Sequence, residues 1–552
     1  MDSTSNSCIC VLVIWLPLSD IVSTHNMRLG KISNNGLLVF ALCAFLLIAI
    51  AYLPIVHSEF VLDDVPGILQ NPTIGDPGLI FANPFLSFQP LLRFAAYSIA
   101  QLSPWPYHLL NIGFHFGVVV MLFLVVRRLI NKYAAWIAGL IVAIHPILVE
   151  SVTWISALSY PQYSFFLMAS LYGYLRGQES RKWTIFSWVL FFLAMFSSEK
   201  AVVFPAILLA LELAFFKLSK NWKRLLPYVV IAILGAAALL TNWGGRVSAF
   251  QNDYLMQPVL INPLSSIPTS MYWYLRLIFF PDKLSIYHPE LPLTSLIQGM
   301  YYAITALYLG LLGITFFKKR RIFFWLFWFF VALTPTFLPM RLAWVVAERY
   351  AYFGTIGIVV LVAWGVSTLI RHKKYMIYGY IVAAVVILAL LGRTIVRNQD
   401  WIDTDSLWIA TGKTAPEYHV THNNLGDMYG RWGDPERAIE EFTIATQIKP
   451  DYAEGYHNIG NTYMQLGKLD EAQKYFQLTL KYNPRIWQTH MNLALIYFNT
   501  NQAPKAYDSM KRAISLSPNE PGLYLQLAQM YEAAGDTDSA QMVRSQMPIS
   551  TN

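Results

Sequence analysis

The sequence predicts an all-α membrane protein in two parts: a polytopic bundle of about eleven spans, then an α-solenoid of repeated helix pairs. Three observations carry this. Of 552 residues, 56% are hydrophobic and only 13% are charged, against about 25% charged in a soluble globule. Up to about residue 395 the apolar residues gather into stretches approaching the ~20 needed to cross a bilayer core of about 30 Å. After Trp401 the composition turns soluble and a period of 34 residues takes over. The expected divisions are an extension over 1–26, a multi-span part over 27–395, a linker over 396–415 and a repeat domain over 416–552.

The extension is apolar at 8–22 (CICVLVIWLPLSDIV) but short, with no basic residue before it, unlike a signal peptide. Met27 opens MRLGKISNNGLLVF, which has the basic flank a first span takes, so the native start is expected at Met27 or the extension is dispensable. Cys8, Cys10 and Cys43 all precede residue 50, which leaves no disulfide framework for the rest.

Candidate spans are 37–56, 108–126, 133–149, 162–176, 183–197, 201–217, 226–242, 296–316, 322–339, 351–370 and 376–392. The net charge of +8 comes from short clusters between them. These are Arg28/Lys31, Arg127/Arg128/Lys132, Arg176/Arg181/Lys182, Lys217/Lys220/Lys223/Arg224, Lys318–Arg321 and Arg371/Lys373/Lys374. All six are cytoplasmic together if the N-terminus is inside and the spans number eleven. Such placement speaks for membrane topology and against a nucleic-acid partner. It puts 57–107, 145–161, 198–200, 243–295, 340–350 and the C-terminal repeats outside. The apolar stretches 266–280 and 90–103, the latter carrying Arg93, read as re-entrant or interfacial helices.

In the C-terminal part Pro416, Pro450, Pro484 and Pro518 recur at one interval, as do Tyr429/Tyr463/Tyr497/Tyr531 and Ala438/Ala472/Ala506/Ala540. Gly433, Gly467 and Gly535 hold the turn between paired helices, with Asn501 in their place in the third repeat; both residue types supply the left-handed conformation that ends a helix. Gly426, Gly460, Ala494 and Ala528 are small where the paired helices approach, and the prolines stop each second helix. This is the tetratricopeptide signature, repeated about four times. A stacked array of this kind offers a concave groove for an extended peptide or a partner protein.

Ionisable residues near the outer ends of spans are few: Asp63/Asp64, Arg93, His108, His115, His145, Glu150, Glu199/Lys200, Arg246, Arg276, Glu348 and Arg349. Acids and bases gathered at one face suggest a site at the membrane–water boundary. Each has a plainer reading. Asp63/Asp64 precede Val65–Pro66 and fit a helix cap; as adjacent carboxylates they repel and call for hydration. Glu150 fits a cap or a snorkelling acid, Glu348–Arg349 a packing pair, and His108 and His115 interfacial packing. No Cys/His spacing suggests zinc and no glycine loop cradles a phosphate. The acid pair alone is weak support for a divalent metal, and no metal site is assigned.

FVLDDVPGILQNPTI (60–74), QPLLRFAAYSI…YHLLNIGFH (89–115), HPILVESVTWI (145–155), AERYAYFGTIG (347–357) and RNQDWIDTDSLW (397–408) occur in that order. In that order they resemble the TMTC-type protein O-mannosyltransferases of the GT-C glycosyltransferase superfamily, from about Met27 onward. Gln89-Pro90 departs from the usual Arg-Pro order. Ser198-Glu199-Lys200 departs from the usual Ser-Lys-Glu, so the lysine lies one place beyond the acid. The resemblance implies a GT-C fold and transfer of a sugar from a polyprenyl-phosphate carrier to a hydroxyl at the extracytoplasmic face. The carrier is a substrate rather than a resident cofactor. It implies Asp63 or Asp64 as base, with Asp63 preferred. Arg93, Arg349 and Lys200 fall to the donor phosphate, and His145, Glu150, Glu199 and Glu348 to the acceptor or sugar. The partners would be the lipid donor and a protein or peptide acceptor in the repeat groove. The membrane would be a bacterial inner membrane, or the endoplasmic reticulum in a eukaryote; the absence of any usable Asn-x-Ser/Thr sequon favours a prokaryotic relative. The alternative is a non-catalytic membrane-anchored repeat scaffold. A transporter would place charges at mid-membrane and show paired, broken halves.

Overall fold

The computed structural model describes residues 34–76, 78, 88–241, 262–288, 296–337 and 344–548. The 1–26 extension, Cys8, Cys10, Arg28, Lys31 and Arg246 lie outside them. Every regular element among the described residues is helical. The apolar part runs α1 (Asn34–Tyr52), α2 (Gln89–Ala100), α3 (Trp105–Leu129), α4 (Lys132–Ala143), α5 (Val149–Thr153), α6 (Ser159–Arg176), α7 (Arg181–Ser197), α8 (Phe204–Phe215), α9 (Leu218–Thr241), α10 (Pro263–Phe279), α11 (Leu296–Lys318), α12 (Arg320–Leu333), α13 (Tyr352–Arg371) and α14 (Met376–Gln399). Helix α15 (Thr404–Thr414) follows, then four pairs: α16 (His419–Arg431) with α17 (Pro435–Ile448), α18 (Ala453–Gln465) with α19 (Leu469–Tyr482), α20 (Trp487–Asn499) with α21 (Ala503–Leu516), and α22 (Pro521–Ala533) with α23 (Thr537–Ser545).

Each of the eleven apolar stretches holds a helix. Five helices are by themselves long and apolar enough to cross a membrane: 35–55, 105–129, 296–318, 348–371 and 376–399. Counting one bent pair as a single span makes six. That pair corrects the expected 133–149 span, which is not one helix. Helix α4 ends at Ala143, and the chain resumes at Pro146 bent by 52°. The cause is local, because Pro146 has no N–H to donate. His145 caps the new turn, its Nδ1 accepting the Ile147 N–H at 3.3 Å. The expected 322–339 span also stops early as an α-helix, at Leu333, with a tighter turn over Thr334–Thr336.

Helix α3 lies at the middle of the bundle, against α1, α4 and α6, while α13 packs on α4, α12 and α14. The outer helices leave apolar side chains uncovered: Leu38, Phe45 and Leu46 on α1, Ile233 and Leu234 on α9, Leu307 and Phe317 on α11, Ile381 and Leu388 on α14. An apolar surface this extensive would be costly in water and is satisfied in lipid.

The 396–415 stretch, expected as a linker, is helical and packed. Trp401, Leu407 and Trp408 are buried in one apolar core with the bundle and with Leu425 and Met428 of α16. Ile402 O accepts the Glu59 N–H at 2.9 Å, and Asn398 Nδ2 donates to Ala51 O at 2.7 Å. The first repeat is therefore held against the bundle through this segment.

Within the repeats the turn residues do what their types suggest: φ is +75° at Gly433, +73° at Gly467, +84° at Gly535 and +57° at Asn501. A Cβ at Gly426 would meet Phe442 at 2.6 Å, and one at Gly460 would meet Phe476 at 2.7 Å. A second periodic feature ties each first helix back to the repeat join. His422, Tyr456, His490 and Tyr524 donate to the carbonyls of Pro416, Pro450, Pro484 and Pro518 at 2.7, 3.2, 3.0 and 3.0 Å.

Candidate functional site

The short segment between α4 and α6 is the hub. Its Glu150, Trp154 and Ser156 each hold a different part of the chain. Ser156 takes the acid-pair loop: its N–H donates to Asp64 Oδ1 at 2.7 Å, and its hydroxyl donates to the same oxygen. Val61 N–H donates to Asp64 Oδ2 at 3.3 Å, and Trp154 Nε1 donates to Val61 O at 3.3 Å. The pair thus divides. Asp64 is buried and Asp63 is exposed. Asp64 precedes a turn over Val65–Leu69, yet its side chain makes no cap bond there. The cap reading is corrected, as is the expectation that both carboxylates stay hydrated: Asp64 bonds across the fold instead. Burial pushes its pKa up to about 6, against the pull of the Ser156 and Val61 hydrogen bonds and the charge of Arg93.

Arg93 comes from α2, which begins at Gln89-Pro90. Its guanidinium lies beside Gly67, 3.5 Å from where a Cβ there would be, and feels the charges of both Asp64 and Asp63. Its Nε is buried without a partner among the described residues. A cation placed beside two carboxylates, with a donor unused, is suited to an incoming anion.

On the other side of Trp154, Glu150 takes Arg349. Glu150 Oε2 accepts the Arg349 N–H at 2.9 Å and Oε1 accepts from the guanidinium. Both side chains are nearly buried, at 1% and 10% exposure. The Arg349 guanidinium carbon lies 5.1 Å from the Trp154 ring centre and 5.0 Å from that of Tyr350. Lys200 Nζ lies 5.0 Å from the Tyr160 ring centre, 5.8 Å from that of Tyr350 and 3.6 Å from Glu199 Oε1. The displaced lysine therefore still reaches Tyr350, one of the two rings that flank Arg349. Desolvated cations against ring faces gain about 2 kcal/mol or more.

Glu348, beside Arg349, makes a third cluster. It is fully buried, accepts Ser285 N–H at 2.5 Å and receives Arg397 Nη2 at 3.2 and 3.4 Å. Arg397 Nη1 donates to Asp400 Oδ2 at 2.9 Å. His145 is spent on the backbone, with Nε2 donating to Ile278 O at 3.0 Å and Nδ1 accepting from Ile147. His115 likewise donates from Nε2 to Ala143 O at 3.1 Å and accepts the Tyr352 hydroxyl at Nδ1, 2.7 Å. His108 Nε2 donates to Ser58 O at 3.3 Å. Glu199 is half exposed beside Lys200. Of the expected residues, Asp64, Glu150 and Arg349 meet on the segment after His145, with Arg93 beside Asp64 and Lys200 at the Tyr160 and Tyr350 rings. Glu348 has its own cluster next to Arg349, and Asp63 lies on the acid-pair loop without a contact to that segment among those described. Ser156, Trp154, Ser285 and Arg397 join them without having been singled out, although Arg397 opens one of the five motifs quoted above. Among the described residues no three His, Cys, Asp or Glu side chains group to hold a metal ion.

Comparison with known proteins agrees with both parts. Family models match the C-terminal part: a TPR repeat over 426–467, and tetratricopeptide repeats over 453–486 and 488–520. Protein O-mannosyl-transferase TMTC3 of Homo sapiens is 25% identical over 456 residues, 71% of this chain and 49% of that protein. Protein O-mannosyl-transferase F38B6.6 of Caenorhabditis elegans is 22% identical over 423 residues, 69% of this chain and 58% of that protein. The chain spans about half the length of these curated relatives. A solved crystal structure of MamA is similar over 27% of this chain and 86% of its own, at 22% identity and TM-score 0.25. The chain carries tetratricopeptide repeats at its C-terminal end and is similar, along about seven-tenths of its length, to TMTC-type protein O-mannosyl-transferases.

Proposed function

We propose that this chain is a membrane glycosyltransferase of the GT-C kind. It moves a sugar from a polyprenyl-phosphate carrier to a Ser or Thr hydroxyl of a protein. The observation that supports this most is that one short segment holds the acid-pair loop through Ser156 and Arg349 through Glu150, with Arg93 beside the acid pair and Lys200 at the Tyr160 and Tyr350 rings. An inverting transfer requires that combination, a base for the acceptor and cations for the departing phosphate. Mannose as the sugar rests on the similarity to relatives named protein O-mannosyl-transferases.

Asp63 is the base in this reading, because it is exposed while Asp64 is committed to Ser156 and Val61. Its carboxylate takes the proton as the acceptor oxygen attacks the anomeric carbon. The carbon–oxygen bond to the phosphate breaks, and its electron pair leaves on the phosphate oxygen. Arg93 and Lys200, with the N–H groups of Arg349 that Glu150 does not occupy, stabilise that charge. Glu348, Glu199 and His145 shape the walls. The eleven-span topology puts the site and the repeats together outside, with the N-terminus cytoplasmic.

The test compares transfer from a radiolabelled polyprenyl-phosphate sugar in membranes carrying wild type, Asp63→Asn or Asp64→Asn. Equal transfer in all three would overturn the role of the pair. A reporter fused after residue 410 that proves cytoplasmic would overturn the topology.

A further inference from the structure

The C-terminal end of α10 and the loop after it gather hydrogen-bond donors that nothing accepts. Trp273 Nε1, Arg276 Nη1 and His288 Nε2 are all buried without a partner among the described residues. They belong to neighbouring side chains. The Trp273 and His288 ring centres are 5.0 Å apart, and the Arg276 guanidinium carbon lies 5.5 Å from the Trp273 ring centre. The first two nitrogens can only donate, and His288 Nε2 donates in one of its tautomers. Buried donors left unpaired are rare and costly. A water serving them would bury two hydrogens of its own, whereas a phosphate oxygen brings acceptors alone.

The carboxylates nearby do not fill this role. Asp282 Oδ2 accepts from Arg276 Nη2 at 2.8 Å, but the Asp282 side chain is 59% exposed. An ion pair so open to water adds little and yields readily to a ligand. Glu348 Oε1 lies 4.0 Å from His288 Nε2, beyond hydrogen-bond reach, and already accepts from Ser285 N–H and Arg397 Nη2. A second cation reaches the same loop from α14, where Arg393 Nε donates to Pro281 O at 2.9 Å.

The surface beside this cluster is apolar. Phe279 and Phe280 are exposed at the end of α10, and α14, which carries Arg393, exposes Val385, Leu388 and Val396. Side chains of this kind are satisfied by lipid chains. Guanidinium groups next to such a surface suit a phosphate that is itself attached to an apolar chain.

We propose that Trp273, Arg276 and His288, with Arg393, bind the phosphate head of a membrane lipid whose chains lie on Phe280 and the exposed apolar residues of α14. The site is separate from the cations assigned above to the donor phosphate, Arg93, Lys200 and Arg349. It requires the bundle to lie in a bilayer and nothing of the transfer reaction, so it stands or falls apart from the transferase reading.

The test is native mass spectrometry of the full chain in detergent, titrated with three probes. These are dioleoyl phosphatidic acid, dioleoylglycerol, which has the same chains and no phosphate, and inorganic phosphate. Phosphatidic acid is expected to bind about tenfold or more tighter than either of the others. Arg276→Gln should weaken it about tenfold. Asp282→Asn, which frees Arg276, should strengthen it, and Arg93→Gln should leave it unchanged. Equal binding of dioleoylglycerol would leave only an apolar surface and overturn the proposal; equal binding of inorganic phosphate would overturn the lipid assignment. Loss of binding in Arg93→Gln but not in Arg276→Gln would place the lipid at the donor site and overturn it as well. Asp282 is exposed, so its variant decides the matter even if Arg276→Gln fails to fold: unchanged or weaker binding in Asp282→Asn would sink the proposal.

Discussion

Glu150 and Arg349, 199 residues apart, are joined twice. One carboxylate oxygen accepts the arginine's backbone N–H at 2.9 Å and the other accepts from its guanidinium. The pair therefore fixes both the path of the chain at Arg349 and the direction of its side chain. Removing one partner leaves the other buried and uncompensated, at a cost of about 3–5 kcal/mol. Arg349→Ala and Glu150→Ala should each lower the melting temperature in detergent. Their double variant should lose less than the sum of the two, because the partners share one interaction. Additive losses would show that the two residues act independently.

Asp64 makes stability depend on pH in a direction opposite to most carboxylates. Its pKa is about 6 in the folded chain, above the ordinary carboxylate value of about 3.9. The folded state therefore holds the proton more tightly, and stability falls as pH rises from about 4 to 6. Asp64→Asn keeps an acceptor for Ser156 and removes the titration. Hydrogen exchange at 61–64, corrected for intrinsic rates, should speed up over that window in wild type and not in the variant. Transfer should survive Asp64→Asn better than Asp63→Asn.

That division of the acid pair shows what a linear reading can and cannot reach. Two adjacent aspartates are visible in the sequence, but which of them faces Ser156, 92 positions away, depends on tertiary packing. The same holds for Arg397, whose partners Glu348 and Asp400 come from two different segments, and for Ser285, which meets Glu348 only through its backbone. The break at His145–Pro146 carried a signal in its proline. Apolar residues on both sides masked it, because hydropathy does not register a bend. The repeats were legible in detail because a period turns tertiary constraints into spacing. Gly433, Gly467, Gly535 and Asn501 each stand where positive φ is required.

The same period predicts which substitutions the repeats tolerate. At Gly467 an asparagine should cost little, since Asn501 occupies the equivalent turn at φ +57°; a valine there should cost about 1–2 kcal/mol or more. At Gly460 the constraint is space, since a Cβ would meet the Phe476 ring at 2.7 Å. Gly460→Ala should destabilise by about 1–3 kcal/mol, and Gly460→Ala with Phe476→Met should recover part of it, because the third repeat has Ala494 and Met510 at those positions. Proteolysis of the repeat region in the intact protein would rank the four variants; an unaffected Gly460→Ala would show that the helices separate at little cost.

His422 is a pH-sensitive joint in the first repeat. Nδ1 faces Glu441 Oε2 at 2.6 Å and Nε2 faces Pro416 O at 2.7 Å, so both neighbours are acceptors and only the imidazolium satisfies both. The Glu441 hydrogen bond raises its pKa above the ordinary histidine value, against partial burial. A raised folded-state pKa means the contribution is complete below about 6.5 and is lost as pH rises through the higher folded value. Tyrosine stands at the equivalent positions 456 and 524 and makes the same bond to the proline carbonyl. His422→Tyr should therefore keep the joint to Pro416 while removing its pH dependence. Amide exchange in α16 and α17, corrected for intrinsic rates, should quicken as pH rises above about 6.5 in wild type and stay level in the variant. An equal slope in both would assign the pH dependence to another group.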